Sequence, residues 1–182
     1  LITMLLPVIL GLVFYRRLAA LSANMIIMAT LLFLNGLILY IPQFLPSGNK
    51  DCRTLSRVEG LLMGLGGVCF AVPGLSGVGT ALSVASVSGV DRKYGLSMIL
   101  LMNMGIVVGE AVYDFLDLLA AGFSGLSVMI LLSYLLAAVA AFVSAFLAVK
   151  LLRSLSEDRG FGWFAYYSWG AALFTFVLSL MA

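Results

Sequence analysis

The 182-residue sequence is 63% hydrophobic and only 10% charged, which excludes an ordinary soluble domain, since such domains are about half apolar and a quarter charged. Its formal net charge of +2 is too small to indicate a nucleic-acid partner, and the basic residues cluster in loops between apolar runs. Several of these runs reach the roughly 18 residues that a membrane-spanning helix needs. The sequence therefore predicts an all-α integral membrane protein, a multi-pass helical bundle located in a cell membrane.

Apolar runs separated by turn signals set the predicted spans. The first run closes at Tyr15-Arg16-Arg17, an aromatic and cationic boundary typical of the lipid headgroup region. Because Leu1 already lies inside this run, we expect further sequence upstream of it. The predicted spans cover about residues 1–16, 24–44, 93–119, 125–153 and 162–182.

Two shorter apolar pieces lie between the second and third spans. Ser56 and Glu59 have the spacing of a capping box, which predicts a helix that begins near Arg57. This helix reaches about Val72 before Pro73-Gly74, a length of about 24 Å, which is less than the roughly 30 Å of a bilayer core. The next piece, residues 78–90, is shorter still.

These two pieces form either one broken span or a re-entrant hairpin over about residues 57–90. The hairpin places eight of the ten basic residues on one side of the membrane, whereas a broken span divides them seven against three. Both this distribution and the length of the segment favour the hairpin, with the basic side in the cytoplasm. The eight residues are Lys50, Arg53, Arg57, Arg92, Lys93, Lys150, Arg153 and Arg159.

The break itself reads "PGLSGVG", residues 73–79. Irregular backbone at membrane depth is tolerated only where protein or a water-filled cavity satisfies it, so the break predicts a polar cavity. Gly74, Gly77 and Gly79 permit unusual backbone angles and close approach, and the N–H groups that open the second helix favour an anion. A plain helix break with packing glycines is an equally good interpretation.

The order of three segments resembles the undecaprenyl pyrophosphate phosphatase family, also called the bacitracin-resistance proteins. The segments are "RTLSRVEGLLMGLGGVCFAVPGLSGVG", "GVDRKYG" and "FAYY". They are similar to the family's P-G-x-S-R-S-G, G-L-D-R and F-A-x-Y-R motifs. The matching residues are Pro73, Gly74, Ser76, Gly79, Asp91, Arg92, Phe164, Ala165 and Tyr167.

The chain also departs from these motifs. Gly77 stands at the family's arginine, and a glycine cannot reproduce the bidentate, permanently charged contact of a guanidinium. Val78 replaces a serine, Gly67 a glutamine, and Ser168 the arginine of the last motif. The family's E-x-x-x-E segment and its serine-rich, histidine-containing loop belong to a first half that has no counterpart in this sequence. The resemblance therefore leaves the enzyme activity open.

The resemblance implies one half of an inverted-repeat fold plus an additional span, in the bacterial plasma membrane. It implies hydrolysis of a polyprenyl diphosphate to the monophosphate in recycling of the cell-envelope lipid carrier, with a divalent cation such as Mg²⁺ or Ca²⁺. Ser76 is the candidate catalytic residue, although phosphate or backbone hydrogen bonding is favoured for it because the chain has no histidine to activate a nucleophile. The candidate phosphate-binding residues are Gly74, Ser76, Gly77, Gly79, Thr80 and Arg92.

The roles of two charged groups, and two functions other than the hydrolase, stay open. Glu110, Asp114 and Asp117 recur at i, i+4 and i+7, so they share a helix face. They form either a solvated or cavity-facing helix end, which is favoured, or a proton relay or cation site. Arg92 and its neighbours contact lipid phosphate or, as favoured, cap and anchor the next helix. The alternative functions are a polyprenyl-phosphate or anion translocase, since transporters also use broken helices, and a purely structural membrane subunit.

Overall fold

The computed structural model describes residues 20–51, 53–122, 127–157 and 162–181, together with positions 9, 11, 13 and 18. Within these residues the chain is helical and contains no β-strand. Most of the predicted span at 1–16 lies outside the described residues. The six α-helices are α1 Met25–Tyr40, α2 Arg57–Val68, α3 Gly77–Val87, α4 Arg92–Ala121, α5 Val128–Glu157 and α6 Gly162–Met181.

Among the described residues, four helical segments are long and apolar enough to cross a membrane. The predicted class, an all-α integral membrane protein, is therefore confirmed, and the chain is a multi-pass membrane protein. The short helices α2 and α3 lie between the first and second of these segments. The four segments are Met25–Phe44, Arg92–Ala120, Val128–Ser154 and Gly162–Met181.

The capping box at the start of α2 is present as predicted. The Ser56 hydroxyl accepts a hydrogen bond from the Glu59 N–H at 3.2 Å, and the Glu59 carboxylate accepts one from the Ser56 N–H at 2.8 Å. The α-helix ends at Val68, four residues before the predicted end, and a 3₁₀ turn over Cys69–Ala71 continues it. This tighter turn brings the chain to Pro73, which disfavours helical geometry in the residue before it.

The segments that enter and leave the α2–α3 pair are held together. Lys50 forms an isolated parallel β-bridge with Val90: the Lys50 N–H donates to the Gly89 carbonyl at 3.2 Å, and the Asp91 N–H donates to the Lys50 carbonyl at 3.0 Å. This pairing is that of a helical hairpin, in which the segments before α2 and after α3 lie side by side. In a single broken span these two segments would lie on opposite sides of the membrane. Insertion of the hairpin into a bilayer stays a prediction.

Small residues allow the two arms of the hairpin to approach closely. A Cβ atom on Gly66 of α2 would lie 3.0 Å from the Ala81 Cα of α3. Gly67 contacts the Met102 side chain of α4, which is buried in the same core cluster as Met63 of α2. Glycine and alanine at such contacts let helix backbones pack where larger side chains would hold them apart.

The most extensive helix contact joins α1 and α6. Gly36 packs against the Trp169 indole, whose Nε1–H donates to the Phe33 carbonyl at 3.3 Å. The N-terminal part of α4 packs against the hairpin, and both α1 and α4 contact α3. The tip of the hairpin therefore lies beside the α1–α6 pair, and this placement creates the candidate site.

Candidate functional site: the hairpin tip and its cavity

The hairpin tip is a short irregular segment between Val72 and Ser76. Gly74 has a φ of +87°, a left-handed conformation that residues with side chains adopt at a cost. Ser76 is the N-cap of α3, where its hydroxyl accepts a hydrogen bond from the Gly79 N–H at 3.1 Å. Serine is favoured at this position because its oxygen satisfies an N–H that has no partner in the helix.

The tip borders a cavity of about 320 Å³ that is lined by α1, α3, α5 and α6. Four lining side chains are polar: Asn35, Ser76, Tyr167 and Ser168. The rest of the lining is Leu39, Val78, Gly79, Ala148, Leu151, Leu152 and Phe164. The cavity therefore combines one hydrogen-bonding wall with an apolar wall.

A buried asparagine connects the three elements that form the polar wall. Asn35 of α1 is 5% exposed and Ser168 of α6 is 4% exposed. The Asn35 Oδ1 accepts a hydrogen bond from the Ser76 N–H at 2.8 Å, and its Nδ2 donates to the Ser168 hydroxyl at 3.0 Å. No motif in the sequence points to Asn35, although an amide within an apolar span needs a partner helix and is itself a signal.

The structure divides the predicted phosphate-binding set. Ser76 and Gly79 line the cavity, whereas Gly74, Gly77 and Thr80 are not among its lining residues. Gly74 packs near Leu31 and Leu32 of α1, and Thr80 is buried within α3. Direct phosphate contact by these three residues stays a prediction.

Gly77 packs against the other arm of the hairpin. A Cβ atom on Gly77 would lie 2.6 Å from the Gly67 carbonyl oxygen and 2.8 Å from the Phe70 Cβ. Gly67 and Gly77 stand where the family motifs carry glutamine and arginine, and the structure shows that the two glycines contact each other. Of the two interpretations of Gly77, the packing glycine is the one that these contacts support.

Arg92 makes contacts elsewhere in the bundle. Its buried guanidinium donates from Nη2 to the carbonyls of Pro42 at 3.0 Å and Leu45 at 2.7 Å. The preceding Asp91 caps α4, because its carboxylate accepts from the Tyr94 N–H at 2.9 Å. These contacts fit the favoured capping and anchoring interpretation, and a phosphate contact by Arg92 stays a prediction.

The three acidic residues lie in the C-terminal part of α4, outside the cavity. Asp114 and Asp117 are exposed and Glu110 is half-buried. The described part of the chain contains no group of three or more acidic, cysteine or histidine side chains arranged to hold a metal ion. The cation site and the proton relay at Glu110, Asp114 and Asp117 both stay predictions.

The donor set of the cavity determines what it can hold. Every described residue that lines the cavity is uncharged, whereas Mg²⁺ and Ca²⁺ favour carboxylate oxygens. The described lining therefore does not fit a divalent cation on its own, and the implied cation stays a prediction. Hydroxyl, amide and backbone N–H groups can instead donate hydrogen bonds to an anionic ligand.

Comparison with known proteins identifies the family of this chain. A family model described as bacitracin resistance protein BacA matches residues 1–174. The chain belongs to this family. The resemblance to the bacitracin-resistance proteins is therefore confirmed.

Relatives of this BacA-family chain carry a functional name. It is 33% identical over 172 residues to the undecaprenyl-diphosphatase of Methanobrevibacter smithii, a match that covers 93% of this chain and 60% of that protein. The undecaprenyl-diphosphatase 1 of Rhodospirillum rubrum is 35% identical over 133 residues, 69% of this chain and 46% of that protein. The Halothermothrix orenii undecaprenyl-diphosphatase is 23% identical over 171 residues, 94% of this chain and 65% of that protein. The chain thus spans less than two thirds of the length of these relatives.

Proposed function

We propose that this BacA-family protein is an undecaprenyl-diphosphatase-like protein of the bacterial plasma membrane, and that the cavity at the hairpin tip receives the headgroup of a polyprenyl diphosphate. One observation carries the proposal: residues of two family motifs that are far apart in sequence, Ser76 and Gly79 in one and Phe164 and Tyr167 in the other, line the same cavity. The names of the relatives support the substrate class.

The polar wall supplies hydrogen-bond donors for a phosphate group. The N-terminal end of α3 lies at the cavity through Ser76, Val78 and Gly79, and the partial positive charge of a helix N-terminus favours an anion. The hydroxyls of Ser76 and Ser168 lie on the same wall. The apolar wall, formed mainly by leucines, provides a surface suited to the first units of an isoprenoid chain.

In this proposal Ser76 binds phosphate and does not act as a nucleophile. A serine needs an adjacent base to become nucleophilic, whereas the chain has no histidine and the described lining holds only neutral side chains. Hydrolysis also needs cationic groups that stabilise the developing negative charge. We assign those groups to the part of the family's proteins that this sequence does not cover.

Phosphate release by the full-length protein tests the proposal. Purified protein in detergent is mixed with undecaprenyl diphosphate, with and without Mg²⁺, and inorganic phosphate is measured over time. We expect release that slows at least about tenfold in Ser76→Ala, because a hydrogen bond to a charged group is lost. Ser144→Ala is the matched control, since its hydroxyl is exposed on α5 and donates only to the Ala140 carbonyl at 2.8 Å.

Two results would contradict the hydrolase. Absence of phosphate release at every cation concentration, together with transfer of undecaprenyl phosphate across liposomes, would make the protein a carrier. Equal rates of phosphate release for Ser76→Ala and Ser144→Ala would show that the hairpin tip takes no part in the reaction.

A further inference from the structure

The Asn35 amide has only one orientation that satisfies its neighbours. A backbone N–H can only donate, so the atom that faces the Ser76 N–H at 2.8 Å must be the amide oxygen. The amide NH₂ group then faces Ser168, and the Ser168 oxygen, 3.0 Å away, must accept. The orientation of the asparagine therefore fixes the role of the serine.

Ser168 is consequently left with its own proton to donate. A hydroxyl has one donor and two acceptor sites, and one acceptor site is already used by Asn35. Other helical serines use their proton on the carbonyl four residues earlier, as Ser133 and Ser144 do at 2.9 Å and 2.8 Å. For Ser168, the residues that the structure describes provide no such acceptor, and the side chain lines the cavity.

The Ser76 hydroxyl also has a proton to donate, for an independent reason. Its oxygen accepts a hydrogen bond from the Gly79 N–H at 3.1 Å, which is the capping interaction of α3. Among the described residues its proton likewise has no acceptor, and Ser76 also lines the cavity. The Asn35 side chain thus holds both serines: it accepts from the backbone N–H of Ser76 and donates to the hydroxyl oxygen of Ser168. Each serine hydroxyl still has a proton to donate.

We infer that Ser168 and Ser76 form a paired hydroxyl-donor site for the oxygens of a phosphate group, and that Asn35 is the positioning residue that sets the donor direction of Ser168. This inference rests on the proposed function and extends it to Ser168 and Asn35, neither of which carries charge. The site recognises phosphate oxygens through neutral donors, at a position where the family motif carries an arginine.

Binding of undecaprenyl phosphate to the full-length protein tests the assignment. The dissociation constant is measured for the wild type, Ser168→Ala and Ser83→Ala, with the thermal stability of each variant measured in the same detergent. Ser83 of α3 is the matched control. Its hydroxyl is buried like that of Ser168, but its proton already has acceptors, the Ile38 and Gly79 carbonyls at 2.9 and 3.0 Å. We expect affinity to fall by about tenfold or more in Ser168→Ala and by less than about twofold in Ser83→Ala.

The positioning role of Asn35 is tested by a double-mutant cycle. Asn35→Leu keeps a similar side-chain shape and removes the amide, so the Ser168 hydroxyl can rotate toward a carbonyl of its own helix and the Ser76 N–H loses its acceptor. If Asn35 sets the donor direction of Ser168, the loss in the double variant is smaller than the sum of the two single losses, and only the part that Asn35 exerts through Ser76 adds to the Ser168→Ala loss. Additive losses would overturn the positioning role.

Competition with inorganic phosphate separates headgroup binding from binding of the isoprenoid chain. We expect excess inorganic phosphate to displace the lipid from the wild type and to compete less effectively in Ser168→Ala. Unchanged lipid affinity in Ser168→Ala would overturn the donor site while leaving the proposed function intact. Failure of the wild type to bind both undecaprenyl phosphate and undecaprenyl diphosphate would instead refute the proposed function, and the donor site with it.

Discussion

Replacing Gly77 by alanine is expected to destabilise the hairpin, because the new methyl group has no room. It would lie 2.6 Å from the Gly67 carbonyl oxygen and 2.8 Å from the Phe70 Cβ, whereas ordinary contacts to a Cβ are 3.4–4 Å. The Gly67 oxygen belongs to the backbone and cannot rotate away, so the two arms of the hairpin must separate. Overpacking of this kind costs about 1–3 kcal/mol.

A second effect of the same substitution has the opposite sign. Alanine restricts the unfolded chain and so stabilises a protein by about 0.4–1 kcal/mol where the native backbone tolerates it. Gly77 is the first residue of α3 and does not have a positive φ, so this gain applies. The net expectation is a loss of about 1.3 kcal/mol in the free energy of unfolding, the difference between the midpoints of these two ranges.

Thermal denaturation in detergent, followed by helical circular dichroism, measures the effect. Gly170→Ala is the control, since a Cβ on this helical glycine of α6 would meet no atom within 4 Å, and it should leave stability unchanged or raise it. Gly77→Arg meets the same contact as Gly77→Ala, so restoring the family's arginine should lower stability before it adds any activity. A midpoint for Gly77→Ala equal to that of Gly170→Ala would refute the packing argument.

Three further changes test other contacts. Arg92→Gln should lower the free energy of unfolding by about 1.5–3 kcal/mol, because a charged donor to the carbonyls of Pro42 and Leu45, at the C-terminal end of the first spanning segment, is lost. The thermal midpoint measures this, and unchanged stability would contradict the anchoring role. Hydrogen bonding to Lys50, with a further bond from the backbone of the capping serine, lowers the pKa of Glu59 from 4.5 to about 2. The stabilisation is therefore present above about pH 4.5 and lost as pH falls toward 2, so the midpoints of the wild type and Glu59→Gln should converge over that range; a constant difference would count against the ion pair. Gly89 has a φ of +73° and open space around it, so Gly89→Ala should cost about 1–2 kcal/mol through backbone strain alone, whereas Gly89→Asn should cost less; equal midpoints for both would argue against strain.

Local signals in the sequence predicted the elements that depend on neighbouring residues. The capping box requires only Ser56 and Glu59, three residues apart, and it is present with both of its hydrogen bonds. Pro73 and Gly74 likewise act locally, because proline disfavours helical geometry in the residue before it and Gly74 adopts a positive φ. The end of α2 was less accurate, because the choice between an α-helical and a 3₁₀ last turn depends on how the tip packs.

The candidate site depends on contacts between distant residues, which no local pattern encodes. Asn35 is bonded to residues 41 and 133 positions further along the chain, so neither partner could be chosen from the sequence alone. Gly77 was equally consistent with a phosphate loop and with tight packing until its contact with Gly67 was known. Arg92 could be seen as a cation near a motif, but its two carbonyl partners lie about fifty residues upstream.

Photoaffinity labelling of the full-length protein in liposomes tests the central claim most directly. An undecaprenyl diphosphate analogue with a photoreactive group on its first isoprene unit is cross-linked, and the labelled peptides are identified by mass spectrometry. The account predicts labels on the residues that line the cavity, above all the leucines of its apolar wall, Leu39, Leu151 and Leu152, and their neighbours at the hairpin tip and in the first turns of α6, all suppressed by excess unlabelled undecaprenyl diphosphate. Labels confined to α4 and to the N-terminal half of α5, or labels that the competitor does not suppress, would show that the substrate does not bind in this cavity.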